Sequence, residues 1–515
     1  MDVNNYQIKT ALISVSDKTG IVDFAKELIN LKITIYSTGG TAKLLSDNGI
    51  EVHSISEITK FPEILDGRVK TLHPKIHGGL LAELDNDKHI EQMEEHNIFS
   101  IDMIVVNLYP FEKALEINKP HKDMIENIDI GGPTMLRSAA KNYLWTVPIV
   151  NPDDYTFILN SLKENNCCIT EKIRIRLAQK VFETTAYYDS LIANYFRNYN
   201  KTEFPDELTI GMKKSQELRY GENPHQKAYF YGDFNKFFEK LHGKDLSYNN
   251  IIDIDAAAKL ILEFEETTVA IIKHTNPCGV ATANNLVDAF NKAFATDTVS
   301  PFGGIIVMNK TLNKEIAETI HSIFTEVLIA PDFTNEALEI LTKKRDRRLI
   351  KINLEEIKEA LNYDLKSVIG GYLFQSTDNL LLDESKLKVV TKRHPSPEEF
   401  RALMFGWKVC KHVKSNAIVY AKSDRTLGIG AGQMSRVDSA RIAVEKAKLM
   451  QLDLTGSVVA SDAFFPFPDG VLQAVDAGAT AVIQPGGSVK DEEVIKAADD
   501  NNIAMIFTGM RHFRH

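Results

Sequence analysis

Apolar runs alternate with helically spaced segments from the first residues of this chain. TALISV at 10–15 is a continuous apolar run, SDKTG at 16–20 a polar turn, and IVDFAKELINL at 21–31 places apolar residues three and four apart. ITIYS, STGGT and AKLLSDNG repeat the scheme at 33–49, with Gly49 where a helix closes. Two strand–helix units in tandem imply a parallel sheet, which the buried-strand candidates IDMIVVNLYPF and TVPIV extend. Residues 1–150 read as one doubly wound α/β domain.

From Thr170 to about Tyr199 the chain has no Gly or Pro and carries apolar residues at helical spacing, which predicts a long bridging helix. The polar stretch NKTEFPDEL follows and is the best linker in the chain, so the first domain is set at 1–200 and the second at 201–515. Alternation resumes there with strand candidates TVAIIK, GGIIVM, EVLIA, NAIVYA, SVVAS, TAVIQ and AMIFTG. This half is also α/β, and its size predicts two subdomains divided between Pro331 and Pro395.

Composition narrows the function classes. At 515 residues, 44% hydrophobic and 25% charged, the chain has the make-up of a folded multidomain protein. A formal net charge of -10 argues against a nucleic-acid footprint and leaves anionic small molecules to local basic groups. Cys167, Cys168, Cys278 and Cys410 are too scattered for a disulfide framework, which fits a reducing cytoplasm. The first residues lack a secretory pattern, and no apolar stretch approaches the ~18 residues of a membrane span.

Two turns after strands, Ser14–Gly20 and Ser37–Thr41, point backbone N–H groups and hydroxyls outward. A single Gly-rich turn merely connects elements; two on one sheet edge leave a phosphate cradle equally open. The stretch 66–79 gathers five basic or imidazole side chains beside glycines, a density that favours function over a solvated loop. NLYPF, NIDIGG and RSAAKN follow at 107–111, 127–132 and 137–142; taken one by one they are a strand end, a turn and a helix.

Together, SVSDKTG, STGGT, GRVKTLHPKIHGG, NLYPF, NIDIGG and RSAAKN resemble, in order and spacing, the inosinate cyclohydrolase domain of the bifunctional purine enzymes. The resemblance implies a methylglyoxal-synthase-like fold that holds a ribonucleotide phosphate and closes the purine ring with loss of water. It implies that Lys70, Tyr109, Asp129 and Lys141 surround the reacting atoms, while Ser14, Ser16, Lys18, Ser37, Thr38, Gly39, Thr41, Arg68 and Thr71 hold the nucleotide. Those residue types suit the chemistry. An amide nitrogen attacks a formyl carbonyl of the same molecule, so positioning and a donor to the developing oxyanion matter most. Asp129 and Tyr109 are placed to relay protons, with acid and base unassigned.

The second half carries RYGENPHQ at 219–226, KHTNPCG at 273–279, KSNA at 414–417 and GIGAGQMSR at 428–436. These are similar to the signatures of the aminoimidazole carboxamide ribonucleotide (AICAR) formyltransferase domain, whose two-subdomain fold resembles cytidine deaminases. The resemblance implies that Arg219, Tyr220, Asn250, Arg436, Arg511 and Phe513 contact the nucleotide, and that Asp462, Phe464, Gly486, Gly487 and Ser488 lie near the folate. Lys273, His274 and Asn416 carry the transfer on that reading. The acceptor is a weak aromatic amine whose proton a base must remove as it attacks the formyl group, and His274 is the candidate. Lys273 stabilises charge or protonates the departing folate nitrogen, and Asn416 hydrogen-bonds the formyl group.

The resemblance covers essentially the whole chain. It implies a bifunctional transferase and hydrolase of purine biosynthesis, with 10-formyltetrahydrofolate as co-substrate, no metal in catalysis, room for a structural monovalent cation, and a cytoplasmic homodimer with shared formyltransferase sites. Neither nucleic acid nor membrane is an expected partner. Two rivals compete. A zinc deaminase requires P-C-x-x-C, and Pro277-Cys278-Gly279-Val280-Ala281 supplies one cysteine. A silent nucleotide- and folate-binding protein would not require Lys70, Asp129, Lys273, His274 and Asn416 together.

Overall fold

A computed structural model describes residues 3–62, 64–360 and 362–515. The chain forms two compact units, Met1–Met212 and Lys213–His515.

The first unit is built on strands β1 (Thr10–Val15), β2 (Thr34–Ser37), β3 (His53–Ser54), β4 (Met103–Asn107) and β5 (Val147–Ile149), in the order β3-β2-β1-β4-β5. All neighbours pair in parallel. The apolar runs are continuous because both faces of the sheet are covered. Ala11, Ile13 and Val15 point into one core with Phe24, Leu28 and Ile158, while Leu12 joins Ile76, Leu80, Leu136 and Val181 on the other face. Each such fully buried Leu or Ile contributes roughly 2 kcal/mol. The bridging helix is Glu171–Tyr199, with Thr170 as its N-cap, and it belongs to this unit. Strand order reverses between β1 and β4, so a crevice opens at their carboxyl ends.

The second unit begins with a hairpin of β6 (Lys214–Leu218) and β7 (Ala228–Tyr231). Strands β8 (Phe238–His242), β9 (Thr268–Lys273), β10 (Asn276–Thr282), β11 (Ile305–Met308), β12 (Val327–Ala330) and β13 (Arg348–Ile352) form a sheet ordered β10-β9-β11-β12-β13-β8. A second hairpin, β14 (Tyr363–Val368) and β15 (Gly371–Ser376), precedes another six-stranded sheet. Its strands are β16 (Lys388–Val389), β17 (Ile418–Ala421), β18 (Thr426–Gly430), β19 (Val458–Ser461), β20 (Ala481–Gln484) and β21 (Ala504–Phe507), ordered β16-β21-β20-β19-β17-β18.

The two sheets share one plan: an antiparallel pair, three parallel strands and an antiparallel edge strand. Sequence pattern alone showed no repeat, because the plan recurs in topology without recurring in motif. Ile272, Val307 and Ile329 of one sheet and Val419, Ala460 and Ile483 of the other bury themselves in a common core, which fixes the sheets against each other.

Candidate active sites

In the first unit the crevice is a cleft of about 910 Å³ lined by Ser14, Ser16, Lys18, Thr38, Thr41, Arg68, Lys70, Thr71, Tyr109 and Asp129. Three elements and the 67–71 turn build it. The turn after β1 is held by Asn107 at the end of β4, whose Oδ1 accepts from Ser16 N at 2.5 Å and Asp17 N at 2.8 Å. The helix Gly39–Asp47 starts at Thr38 with no side chain capping its first amides, which leaves them free to meet an anion. Lys18 Nζ donates to Thr41 Oγ1 at 2.7 Å, and burial, with Lys70 nearby, pulls its ammonium below the usual lysine range. Two ammoniums facing one space, beside the Ser14–Thr38 hydroxyl pair at 2.8 Å, give it the charge and donors that suit an anion.

The third element is the helix Gly131–Lys141. Asp129 Oδ1 accepts from Gly132 N at 2.8 Å and Oδ2 from Tyr109 N at 3.3 Å. A Cβ on Gly132 would stand 2.6 Å from Asp129 Oδ2, so glycine is what lets the carboxylate lie over the helix terminus. Burial pushes the Asp129 carboxyl above its usual range, against the pull of those N–H groups and of Lys70. Arg68 pairs with Glu126 at the rim. Ser37 is fully buried and donates to Ile13 O at 2.8 Å, so it ties β2 to β1 and does not line the cleft. Gly39, at φ 43°, leaves room for Lys70: a Cβ there would stand 3.3 Å from the Lys70 ammonium. Lys141 is exposed at the far end of its helix, roughly 15 Å from Gly131 by helical rise; one chain does not bring it to the other groups.

In the second unit Lys273 and His274 stand at the turn between β9 and β10, with His274 exposed and Lys273 Nζ donating to Phe302 O at 2.9 Å. Asn276 Oδ1 accepts from Lys414 N at 2.9 Å, which joins this turn to the segment before β17 and thus one sheet to the other. Asn416 Nδ2 donates to Gln433 O at 2.8 Å and its carbonyl accepts from Ser439 Oγ at 2.7 Å.

Asp462 is the hub of this region. It is 0% exposed; its carboxylate takes Arg436 Nη2 at 2.7 Å and the Ser415 hydroxyl, and its carbonyl takes His512 N at 3.0 Å. Expected beside the folate, Asp462 instead has both carboxylate oxygens committed inside the protein, and Arg436, expected in the nucleotide or folate pocket, is nearly buried against it. Both fasten the site rather than face it. Asn250 corrects the expectation in the same way: it is buried, caps its own helix through Ser247, and donates to Glu326 Oε2 at 3.1 Å.

Phe464 and Phe513 are 37% and 41% exposed, and Arg511 stacks on Phe513 at 4.5 Å, so Phe513 is reached with one face already covered by a guanidinium. Arg219 stacks on Tyr220 at 4.6 Å. Gly486 and Gly487 have φ of 72° and 97° after β20, and Gly487 N donates to Asp491 Oδ2 at 2.7 Å while Ser488 Oγ accepts from Lys490 N at 3.1 Å.

Comparison with known proteins weighs against both rivals. The family model described as AICARFT/IMPCHase bienzyme matches residues 139–446, and that of the MGS-like domain matches 20–134. The bifunctional purine biosynthesis protein PurH of Chlorobium chlorochromatii (strain CaD3) is 55% identical over 521 residues, covering 99% of each chain. The protein of that name from Bacillus cereus (strain B4264) is 54% identical over 520 residues, covering 98% of this chain and 100% of its own.

The chain belongs to the AICARFT/IMPCHase bienzyme family.

Its methylglyoxal-synthase-like first domain and its α/β second domain are those of the bienzyme family. Neither the zinc deaminase nor the silent binding protein is favoured. Sequence reading of this family member passed over several residues that organise the sites. Asn107, within NLYPF, has a visible signal as a polar residue that ends a buried strand. Tyr188, on the bridging helix, donates to Asn127 O and accepts from Asp129 N, both at 2.9 Å, and nothing local marks it out. Glu326 meets Asn250, and Asp253 meets the turn after β9 at Thr275 N, only through the fold.

Proposed function

We propose that the two assembled sites divide the bienzyme's chemistry between them. The enzyme catalyses the last two steps of purine biosynthesis: formyl transfer from 10-formyltetrahydrofolate to AICAR, then dehydrative closure of the product to inosinate. The observation that carries this reading is identity of 55% over 99% of the chain to a bifunctional relative.

In formyl transfer the amine of AICAR attacks the formyl carbon while His274, exposed at its turn, accepts the amine proton. Lys273 lies beside it to offset negative charge on the formyl oxygen or to return a proton to the departing folate nitrogen, and Asn416 hydrogen-bonds the formyl group. Arg219, Tyr220, Arg511 and Phe513 take the nucleotide, and Phe464 with the Gly486–Ser488 turn takes the folate. In ring closure the phosphate rests against Lys18 and the amides at Thr38–Gly40, and the carboxamide nitrogen attacks the formyl carbon. Lys70 stabilises the oxyanion, and Asp129 and Tyr109 pass the protons that let water leave. A carboxyl raised by burial suits this role, since it exchanges its proton more readily near neutral pH.

No helix among the described residues is long and apolar enough to cross a membrane. The same reading places the enzyme in the cytoplasm as a homodimer, and a second copy is one source for Lys141 at the cyclohydrolase cleft. Sedimentation at assay concentration tests the dimer, and assay in potassium, sodium and choline salts tests the monovalent cation. The deciding experiment supplies AICAR and 10-formyltetrahydrofolate and follows tetrahydrofolate and inosinate separately. Both are expected; accumulation of the formylated intermediate would remove the first unit's role, and absence of both products from folded protein would leave a binding protein.

A further inference from the structure

The turn that presents Lys273 and His274 is as short as a hairpin allows. Lys273 pairs with Asn276 across β9 and β10, so His274 and Thr275 are its two central residues, with φ of 51° and 64°. A turn with both central residues left-handed normally takes Asn or Gly, and a side chain there costs on the order of 1 kcal/mol or more per residue. Something must hold it.

Asp253 does so from outside the hairpin. It lies on the helix Tyr248–Ile261, which is anchored in the core by Ile254, Ala257 and Ile261. Its Oδ1 accepts from Thr275 N at 2.7 Å, and its carboxylate also lies beside the His274 backbone N–H and within electrostatic reach of the His274 ring. The remaining polar groups of the turn are tied locally: Thr275 Oγ1 and Asn276 Nδ2 donate to His274 O at 2.7 and 3.1 Å. The charged and titratable groups around the carboxylate are His274 on the turn, Cys278 on β10 with Lys273 nearby, and Glu326 before β12, which Arg348 faces at 3.7 Å.

We propose that Asp253 is the positioning residue of the formyl-transfer site: it holds the left-handed His274–Thr275 turn that presents the imidazole, and its negative charge sustains the imidazolium formed when His274 takes the proton. The carboxylate acts on the turn's backbone and through space, not on substrate. The inference rests on His274 being the base.

The test uses the full-length chain with Asp253→Asn, Asp253→Glu and His274→Ala, reading kcat, KM for AICAR and the pH profile of formyl transfer, with ring closure of the formylated intermediate as a check on folding. Asp253→Asn is expected to lower kcat about 10- to 100-fold, the range of losses when a partner that orients a histidine is removed. KM should stay within about twofold, and the acid limb of the profile should move to lower pH because a negative charge beside the imidazolium is gone. Asp253→Glu, which keeps the charge, should retain the parent's acid limb whatever its kcat. If His274→Ala abolishes transfer while Asp253→Asn leaves kcat and profile unchanged, the inference falls and the base assignment stands. Transfer surviving in His274→Ala overturns the base assignment itself. Should Asp253→Asn fail to fold, an acid limb displaced in Asp253→Glu overturns the role of charge.

Discussion

The two sites are built in opposite ways. In the first unit the groups that line the cleft stand separately on the ends of β1 and β4, at the starts of two helices and on the 67–71 turn, and their ties are separate too, the Asn107 side chain for the turn after β1 and backbone N–H groups for Asp129. In the second they hang from a buried network in which Asp462 joins Ser415, Arg436 and the carboxy-terminal segment, and Asn276 joins one sheet to the other. A cleft of separate parts loses one function at a time when a part is removed. A shared network transmits a loss to every group that depends on it.

Breaking the hub is therefore the largest perturbation available. Asp462→Ala leaves the Arg436 guanidinium buried without its counter-charge, at a cost of about 3–5 kcal/mol. Formyl transfer should vanish and the second unit should unfold at lower denaturant, while ring closure by the first unit persists; denaturation followed by both assays checks this. Equal loss of both activities would show that the two units are not independent.

Next in size is Lys70→Ala, which removes a charge from the cleft without dismantling it. Ring closure should fall about 10²- to 10³-fold, as when one oxyanion donor is lost. Formyl transfer should be unaltered, so the formylated intermediate should accumulate in the coupled assay.

Asp129→Asn separates activity from stability. Burial holds the Asp129 carboxyl above its ordinary value of 3.8. Ionisation therefore costs the folded state more than the unfolded one above the native value, and below 3.8 both states are protonated and the cost disappears. The variant should be more stable than the parent near pH 7, with the gap closing as pH falls through the carboxyl range, while ring closure is impaired. Denaturant midpoints at pH 7 and pH 3.5 measure the sign. A less stable variant at pH 7 would mean that the hydrogen bonds to Gly132 and Tyr109 outweigh the burial.

How much of this was legible in the sequence follows the same contrast. The strand runs from TALISV to AMIFTG are strands, because a strand covered on both faces must be apolar throughout, and Lys18, Lys70 and Asp129 meet because strand ends and helix starts share one edge of a parallel sheet. RLIKI at 348–352 was missed: it is a strand whose Arg348 is buried against Asp245 and Glu326. Local pattern cannot reveal a partner about a hundred residues away. The same limit hid Glu326 and Asp253, and it made Asp462 and Asn250 look like ligand contacts. A motif shows that a residue matters at a site, and only packing shows whether it faces the ligand or the protein.

The smallest change sharpens the comparison most, because it asks whether the open cleft has a hidden tie of its own. Tyr188 lies on the bridging helix, packed edge-to-face against Phe111, and its hydroxyl connects that helix to both Asn127 O and Asp129 N. Tyr188→Phe keeps the ring and its packing and removes only the oxygen, leaving the Asn127 carbonyl and the Asp129 amide short of a partner. The expected cost is about 1–3 kcal/mol, the penalty of buried polar groups left unpaired. If the loop depends on this tie, ring closure should fall by about tenfold with little change in substrate affinity, because Asp129 would still be present but less well placed. If stability falls and ring closure does not, the cleft is as modular as its strand-end construction suggests, and the contrast with the Asp462 network is complete.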